Sequence, residues 1–173
     1  DALSLQIWKL GCGSREVIAN LPYNISTKIL INLLKNSSQF SKLTMMFQKE
    51  VANRIIAKPG SKPYSRLSVI TQLKTKTKIL FDIPDTAFFP KPKVQSSLVQ
   101  FIPYENEKHN FDFEKMEELT RFVFAKKRKM LRTIFKKEGG SSFLNSINVD
   151  PNIRPENLTL EEFCKLEFAL RKY

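Results

Sequence analysis

Glu16-Val17-Ile18-Ala19-Asn20-Leu21-Pro22-Tyr23-Asn24-Ile25-Ser26-Thr27 is the stretch on which the reading of the fold turns. Its first four residues make a short apolar run, the pattern of a buried strand. Asn20 to Asn24 reads as a loop. Ser26 or Thr27 can cap a helix running to about Lys35, with Ile29, Leu30, Leu33 and Leu34 on one side. A second apolar run covers Lys42 to Phe47, and Lys49 to Lys58 reads as a helix closed by Pro59-Gly60. Strand, helix, strand, helix in this order predicts an α/β architecture with a parallel, buried sheet.

The loop after the first strand carries the chemical signal. Ligands of open α/β sheets bind at the carboxyl ends of the strands. There the Asn20 side-chain oxygen can accept a hydrogen bond from an amine, the Pro22 carbonyl offers a second acceptor, and the Tyr23 ring can lie against a planar base. The same four residues also suit an ordinary strand-end turn, because Asn and Pro are common turn formers.

Further along, Lys58 to Tyr64 is a polar loop, Arg66 to Leu73 a short helix and Thr75 to Ile83 a strand. Phe88 to Lys93 is irregular, because its prolines remove donors and fix φ. Val94 to Tyr104 reads as a last strand. Composition changes after Tyr104, which places a boundary between an α/β part, 1–104, and a helical part, 105–173. Apolar residues from Phe113 to Val123 recur at helical spacing. A second helix is expected over Arg128 to Lys136, ended by Gly139-Gly140. A third starts after Thr159, with Glu162 completing a capping box.

The charge balance narrows the partner. Among 173 residues, 29 Lys and Arg face 17 Asp and Glu, a formal net charge of +12. Such an excess attracts polyanions, nucleic acid first and an anionic membrane surface second; it also serves solubility alone. The basic residues group at Lys91 and Lys93 and again at Lys126, Lys127, Arg128, Lys129 and Arg132. Phosphate contacts and a solvated helix face both fit that pattern. Cys12 and Cys164, the only cysteines, form no framework and point to a reducing, cytoplasmic setting. With one histidine, His109, neither a zinc cluster nor a His-centred nucleophile is expected.

Several motifs in order resemble one family. Asn20-Leu21-Pro22-Tyr23 resembles the catalytic signature of adenine N6-methyltransferases that act on ribosomal RNA, and its extension to Thr27 is similar to that of the bacterial small-subunit rRNA adenine N6,N6-dimethyltransferases. Gln48 to Arg54, Tyr64 to Val69, Phe88 to Ser96, Arg128 to Arg132 and Arg154 to Leu158 resemble later signatures of the same family. Two departures stand out: Lys28 where the family usually has proline, and Ser65 where it has glycine. The large-subunit relatives carry much the same loop and remain an alternative, as does a noncatalytic RNA- or ribosome-binding module.

The resemblance implies a Rossmann-like class I methyltransferase domain of which only the later strands are present, followed by a small helical domain. It implies transfer of methyl groups from S-adenosylmethionine to N6 of two adjacent adenines near the 3′ end of small-subunit rRNA, within an assembling ribosomal subunit. Asn20, Leu21, Pro22, Tyr23 and Phe88 would form the catalytic site, with Tyr23 and Phe88 stacking on the base. Arg66, Lys91, Lys93, Lys126, Lys127, Arg128 and Arg132 would contact RNA. Asp1-Ala2 resembles the third donor-binding motif, and Asn20 and Pro22 border the donor. The family's glycine-rich loop and ribose-binding acid are not found in this sequence; Gly11-Cys12-Gly13 reads as a surface turn. The expectation is therefore an N-terminally truncated chain that binds no donor, and is inactive, on its own.

Overall fold

A computed structural model describes residues 7–9, 13–105 and 109–171. They sort into two compact units, the first within 1–56 and 74–107, the second within 57–73 and 108–173. The boundary expected after Tyr104 assigns 57–73 to the α/β part. The contacts group that segment with the helices instead: Tyr64 packs on Phe124, the Arg66 guanidinium pairs with Glu117 and the Gly60 N–H donates to the Glu156 carbonyl.

The first unit is a four-stranded sheet with two α-helices. β1 (Glu16–Ala19) leads into α1 (Tyr23–Lys35), β2 (Lys42–Gln48) into α2 (Lys49–Ile55), and β3 (Thr75–Ile83) and β4 (Ser96–Pro103) complete the sheet in the order β1-β2-β4-β3. β1 and β2 are parallel, as the strand–helix–strand order predicts. β4 is antiparallel to both its neighbours, so the sheet is mixed. A parallel pair requires a long, usually helical crossover, whereas the proline-rich return between β3 and β4 contains only a single 3-10 turn, Asp85–Ala87.

Alternation decides what each face holds. Leu43, Met45 and Phe47 share one face with their ladder partners Phe101, Val99 and Ser97. All six are buried, and Phe47 meets Phe101 edge to face at 6.1 Å. The opposite face is only partly covered. Ile18, Phe81 and Ile102 point from it and are exposed. Among the described residues the expected buried sheet is therefore covered fully on one face only. β3 is an edge strand, and its Lys76 and Lys78 are the charges that keep such an edge from pairing with other chains.

In the first unit, helix boundaries differ from the sequence reading in two places. α1 starts at Tyr23, with Pro22 as N-cap, so neither Ser26 nor Thr27 caps it. Ser26 is buried within the first turn and its hydroxyl donates to the Tyr23 carbonyl at 3.0 Å. The face formed by Ile29, Leu30, Leu33 and Leu34 is buried as predicted. α2 ends at Ile55 rather than Lys58, because from Ala57 the chain packs with the second unit, where the Gln72 side chain donates to the Ala57 carbonyl at 2.9 Å.

The second unit is helical: α3 (Arg66–Lys74), α4 (Phe113–Ala125), α5 (Leu131–Ile134), α6 (Ser141–Ser146) and α7 (Leu160–Leu170). Residues 126–130 form a turn, so the helix expected from Arg128 begins only at Leu131 and is one turn long. Gly139, at φ 112°, ends the following 3-10 segment in a conformation that glycine adopts freely. Rings link these helices: Phe124 packs on Phe163 at 5.8 Å and on Tyr64 at 6.1 Å, and Phe135 on Phe122 and Phe143. Such pairs contribute about 0.5–1.5 kcal/mol each beyond the area they bury. The capping box at α7 is present in full, Thr159 N–H donating to Glu162 and Glu162 N–H to the Thr159 hydroxyl.

Candidate functional site

The parallel pair β1–β2 sets the position of the site. β1 ends at Ala19, opposite Met45, while β2 runs on to Gln48, and the Asn20 loop leaves from that end of the pair. A cavity of about 360 Å³ opens there, lined by Asn20, Leu21, Pro22, Tyr23, Met46, Phe88, Phe89, Pro90 and Pro92. All five residues expected to be catalytic thus face one cavity. Met46, Phe89, Pro90 and Pro92 join them. Met46 was not singled out from the sequence, although its place near the end of a strand parallel to β1 is the signal that finds it.

Two anchors hold the walls in place. The Tyr23 and Ser96 hydroxyls share a hydrogen bond of 2.5 Å that ties the start of α1 to the start of β4. Ser96 is fully buried, so its hydroxyl depends on that partner. The second anchor is Lys49, which opens α2. Its ammonium pairs with Asp82 at 2.7 Å and donates to the Gln95 side chain at 3.2 Å, while its N–H donates to the Gln95 carbonyl. Ser97 donates to the other oxygen of Asp82 at 2.6 Å. The Lys49 and Ser97 hydrogen bonds hold the Asp82 carboxyl below its ordinary range. The return end of the loop carrying Phe88 is therefore fixed to both β3 and α2.

The acceptor geometry corrects one expectation. The Pro22 carbonyl is the N-cap carbonyl of α1 and accepts the N–H groups of Ile25 and Ser26, each at 3.1 Å. It has no lone pair left for a substrate amine. The Leu21 carbonyl, one residue earlier, takes no backbone donor among the described residues. Asn20 is exposed, so its side-chain amide is accessible.

Among the described residues that line the cavity there is no carboxylate for the ribose hydroxyls of S-adenosylmethionine and no glycine for a close backbone approach. Asp1, Ala2, Gly11 and Cys12 lie outside the described residues.

The expected RNA contacts separate into groups. Lys91 and Lys93 are exposed on the loop beside the cavity, Lys91 paired with Asp85 at 3.1 Å. In the second unit, Lys127 and Arg128 line a basic cavity of about 350 Å³ together with Lys62, Arg154, Tyr64 and Glu156. Lys62, Arg154 and Tyr64 were not picked out as contacts, since only the fold brings them to that turn. Burial raises the Tyr64 hydroxyl, with a smaller contribution from Glu162. Lys126 lies 3.7 Å over the Phe122 ring, and Arg132 donates to the Asn152 side chain. Arg66 departs from the expectation. Its guanidinium is paired with Glu117 and joins α3 to α4, with its Nε buried. Burial, then Glu167 and Glu161, push the Cys164 thiol up to about 11, so it is no nucleophile at neutral pH. Lys28 is exposed on α1 and does not line the cavity, and Ser65 N–H donates to the Ser68 hydroxyl.

Among the described residues no helix is long and apolar enough to cross a membrane. Nor do three or more His, Cys, Asp or Glu side chains gather there as a metal site.

The family described as ribosomal RNA adenine dimethylase matches residues 12–172. Ribosomal RNA small subunit methyltransferase A of Gluconobacter oxydans is 41% identical over 96% of this chain and 55% of its own length. The protein of that name from Wolbachia of Drosophila simulans is 46% identical over 87% of this chain and 56% of its own. The crystal structure of a dimethyladenosine transferase from Plasmodium falciparum superimposes with a TM-score of 0.79 at 27% identity, covering 96% of this chain and 70% of that one. The chain thus spans little more than half the length of these bacterial relatives. The strand–loop–helix around Asn20, all four strands of the sheet and helices α3 to α7 lie within that match, and the chain belongs to the ribosomal RNA adenine dimethylase family.

Proposed function

We propose that this chain supplies the target-base side of an enzyme that dimethylates N6 of two adjacent adenines near the 3′ end of small-subunit rRNA, using S-adenosylmethionine, in the cytoplasm on an assembling subunit. The observation that carries the reading is the single cavity shared by Asn20, Leu21, Tyr23 and Phe88. An adenine entering it must be unpaired or taken out of its stack. Its exocyclic amine is a poor nucleophile because the lone pair is conjugated with the ring. The Asn20 side-chain oxygen and the Leu21 carbonyl would accept the two N–H groups and favour a pyramidal nitrogen whose lone pair points away from both. The chain's contribution is orientation and electrostatics, without a titrating base. Tyr23 and Phe88 would hold the base by stacking, worth roughly 1–3 kcal/mol per base. After one transfer a single N–H remains and needs one acceptor, so the same site accepts the monomethylated base.

Affinity would come from phosphates. Lys127, Arg128, Lys129 and Arg132 are exposed around the turn after α4, and such contacts give register without base identity. Lys126 and Lys93 would add to this, while Arg66, tied to Glu117, would not.

The test is reconstitution. The chain is joined to the part of the Gluconobacter oxydans relative that it does not span and incubated with unmodified small subunits and S-adenosylmethionine. Digested rRNA is then analysed by mass spectrometry. N6,N6-dimethyladenine is expected, with the Asn20→Ala protein slower by about a hundredfold, the scale for losing one oriented hydrogen-bonding group. RNA binding without methylation would support a noncatalytic module instead. An Asn20→Ala protein as fast as the original would remove Asn20 from the site.

A further inference from the structure

Phe89 stands on the lip of the cavity with its whole side chain in solvent, beside the half-buried Phe88. Single exposed apolar residues are common on protein surfaces. This one has two neighbours that give it a use. The first is the cavity itself. When one base of a single strand occupies it, the next base along the strand lies at its mouth, where Phe89 is. The second is charge. Lys93 follows on the same loop, exposed and without an acidic partner among the described residues, while Lys91 is held by Asp85 at 3.1 Å. An aromatic face with a free ammonium nearby is the combination that binds single-stranded nucleic acid, the ring stacking a base and the cation meeting the phosphate beside it.

Resting on the reading of the cavity as an adenine site, we propose that Phe89 and Lys93 form a second subsite, which stacks the base flanking the captured adenine. For a substrate with two adjacent adenines, that flanking base is the other adenine of the pair. Phe88 and Phe89 then divide the work, one holding the base inside the cavity and the other holding its neighbour outside. Because every base has a π face, the subsite favours the presence of a flanking base far more than its identity. It would also keep the second adenine at the mouth while the first is modified.

Titration of the isotope-labelled chain, followed by NMR, tests this with two probes, adenosine and the dinucleotide ApA. Both should shift the resonances of Asn20 and Tyr23, ApA binding more tightly. Phe89→Ala should weaken ApA by about tenfold, the effect of losing one stacked base, and leave adenosine unchanged. Phe88→Ala should weaken both. Lys93→Ala should lower ApA affinity at low salt and lose that effect at high salt. Equal weakening of both probes by Phe89→Ala would make Phe89 a wall of the cavity and overturn the subsite, as would no effect on ApA. Those two results leave the adenine site standing. Failure of the unsubstituted chain to bind either probe would remove the adenine site and the subsite together.

Discussion

With both lone pairs of the Pro22 carbonyl directed to Ile25 and Ser26, the acceptors left beside Tyr23 are the Asn20 amide and the Leu21 carbonyl. The motif itself is legible from residue types: a strand, an amide, a proline and an aromatic ring. Which carbonyl stays free is not, because that depends on whether the helix starts at Tyr23 or four to five residues later. The difference between Phe88 and Phe89 is hidden for a similar reason. Both belong to one proline-rich loop, and only the folded backbone puts one ring against the wall and the other in solvent. Asp82 gives a prediction at this scale. Hydrogen bonds from Lys49 and Ser97 lower its folded-state pKa. Its ionised form is therefore favoured by folding, and the stabilisation is complete above the unfolded value of about 4. It is lost as pH falls through the lowered folded value. Asp82→Asn should flatten the acid limb of a stability-against-pH curve measured by urea unfolding, with the difference from the original protein closing at the lowest pH. An unchanged acid limb would separate Asp82 from the anchor of the loop.

Among the elements, those with strong local signals lie where periodicity puts them. β1 through β4, the buried face of α1 and the start of α7 are all readable, the last because Thr159 and Glu162 state the cap in the sequence itself. Thr159→Ala should cost about 1 kcal/mol, the usual worth of an N-cap, seen as a lower urea midpoint with an unchanged slope. A loss within error would mean that α7 is held by Phe163 and Leu166 in the core rather than by its cap. The antiparallel sense of β4 and the early end of α2 were not readable. Both follow from where the chain goes next: the return from β3 without a helix, and the switch at Ala57 into the second unit. Local propensity carries no information about either.

For the whole molecule, charge was legible as a total and aromatic content as a core. The assignment of 57–73 to the helical unit was not, since its apolar residues have the same composition as a helix on a sheet. The basic turn after α4 makes a prediction that total charge alone does not. Replacing Lys127 and Arg128 together by alanine should weaken binding to a single-stranded rRNA segment and reduce the slope of log affinity against log salt by about 1.4, two phosphate contacts at roughly 0.7 each. An equal loss at every salt concentration, with the slope unchanged, would show that these side chains do not meet phosphates.

The proposed function implies a division of labour: the described cavity orients a target amine and does not by itself hold the methyl donor. Isothermal titration calorimetry of the folded chain with S-adenosylmethionine tests it most directly. No saturable heat beyond dilution is expected, because the described residues lining the cavity offer neither a carboxylate nor a glycine cradle. Saturable one-to-one binding would overturn that division, and would mean that this chain assembles a donor site from residues other than those lining the described cavity.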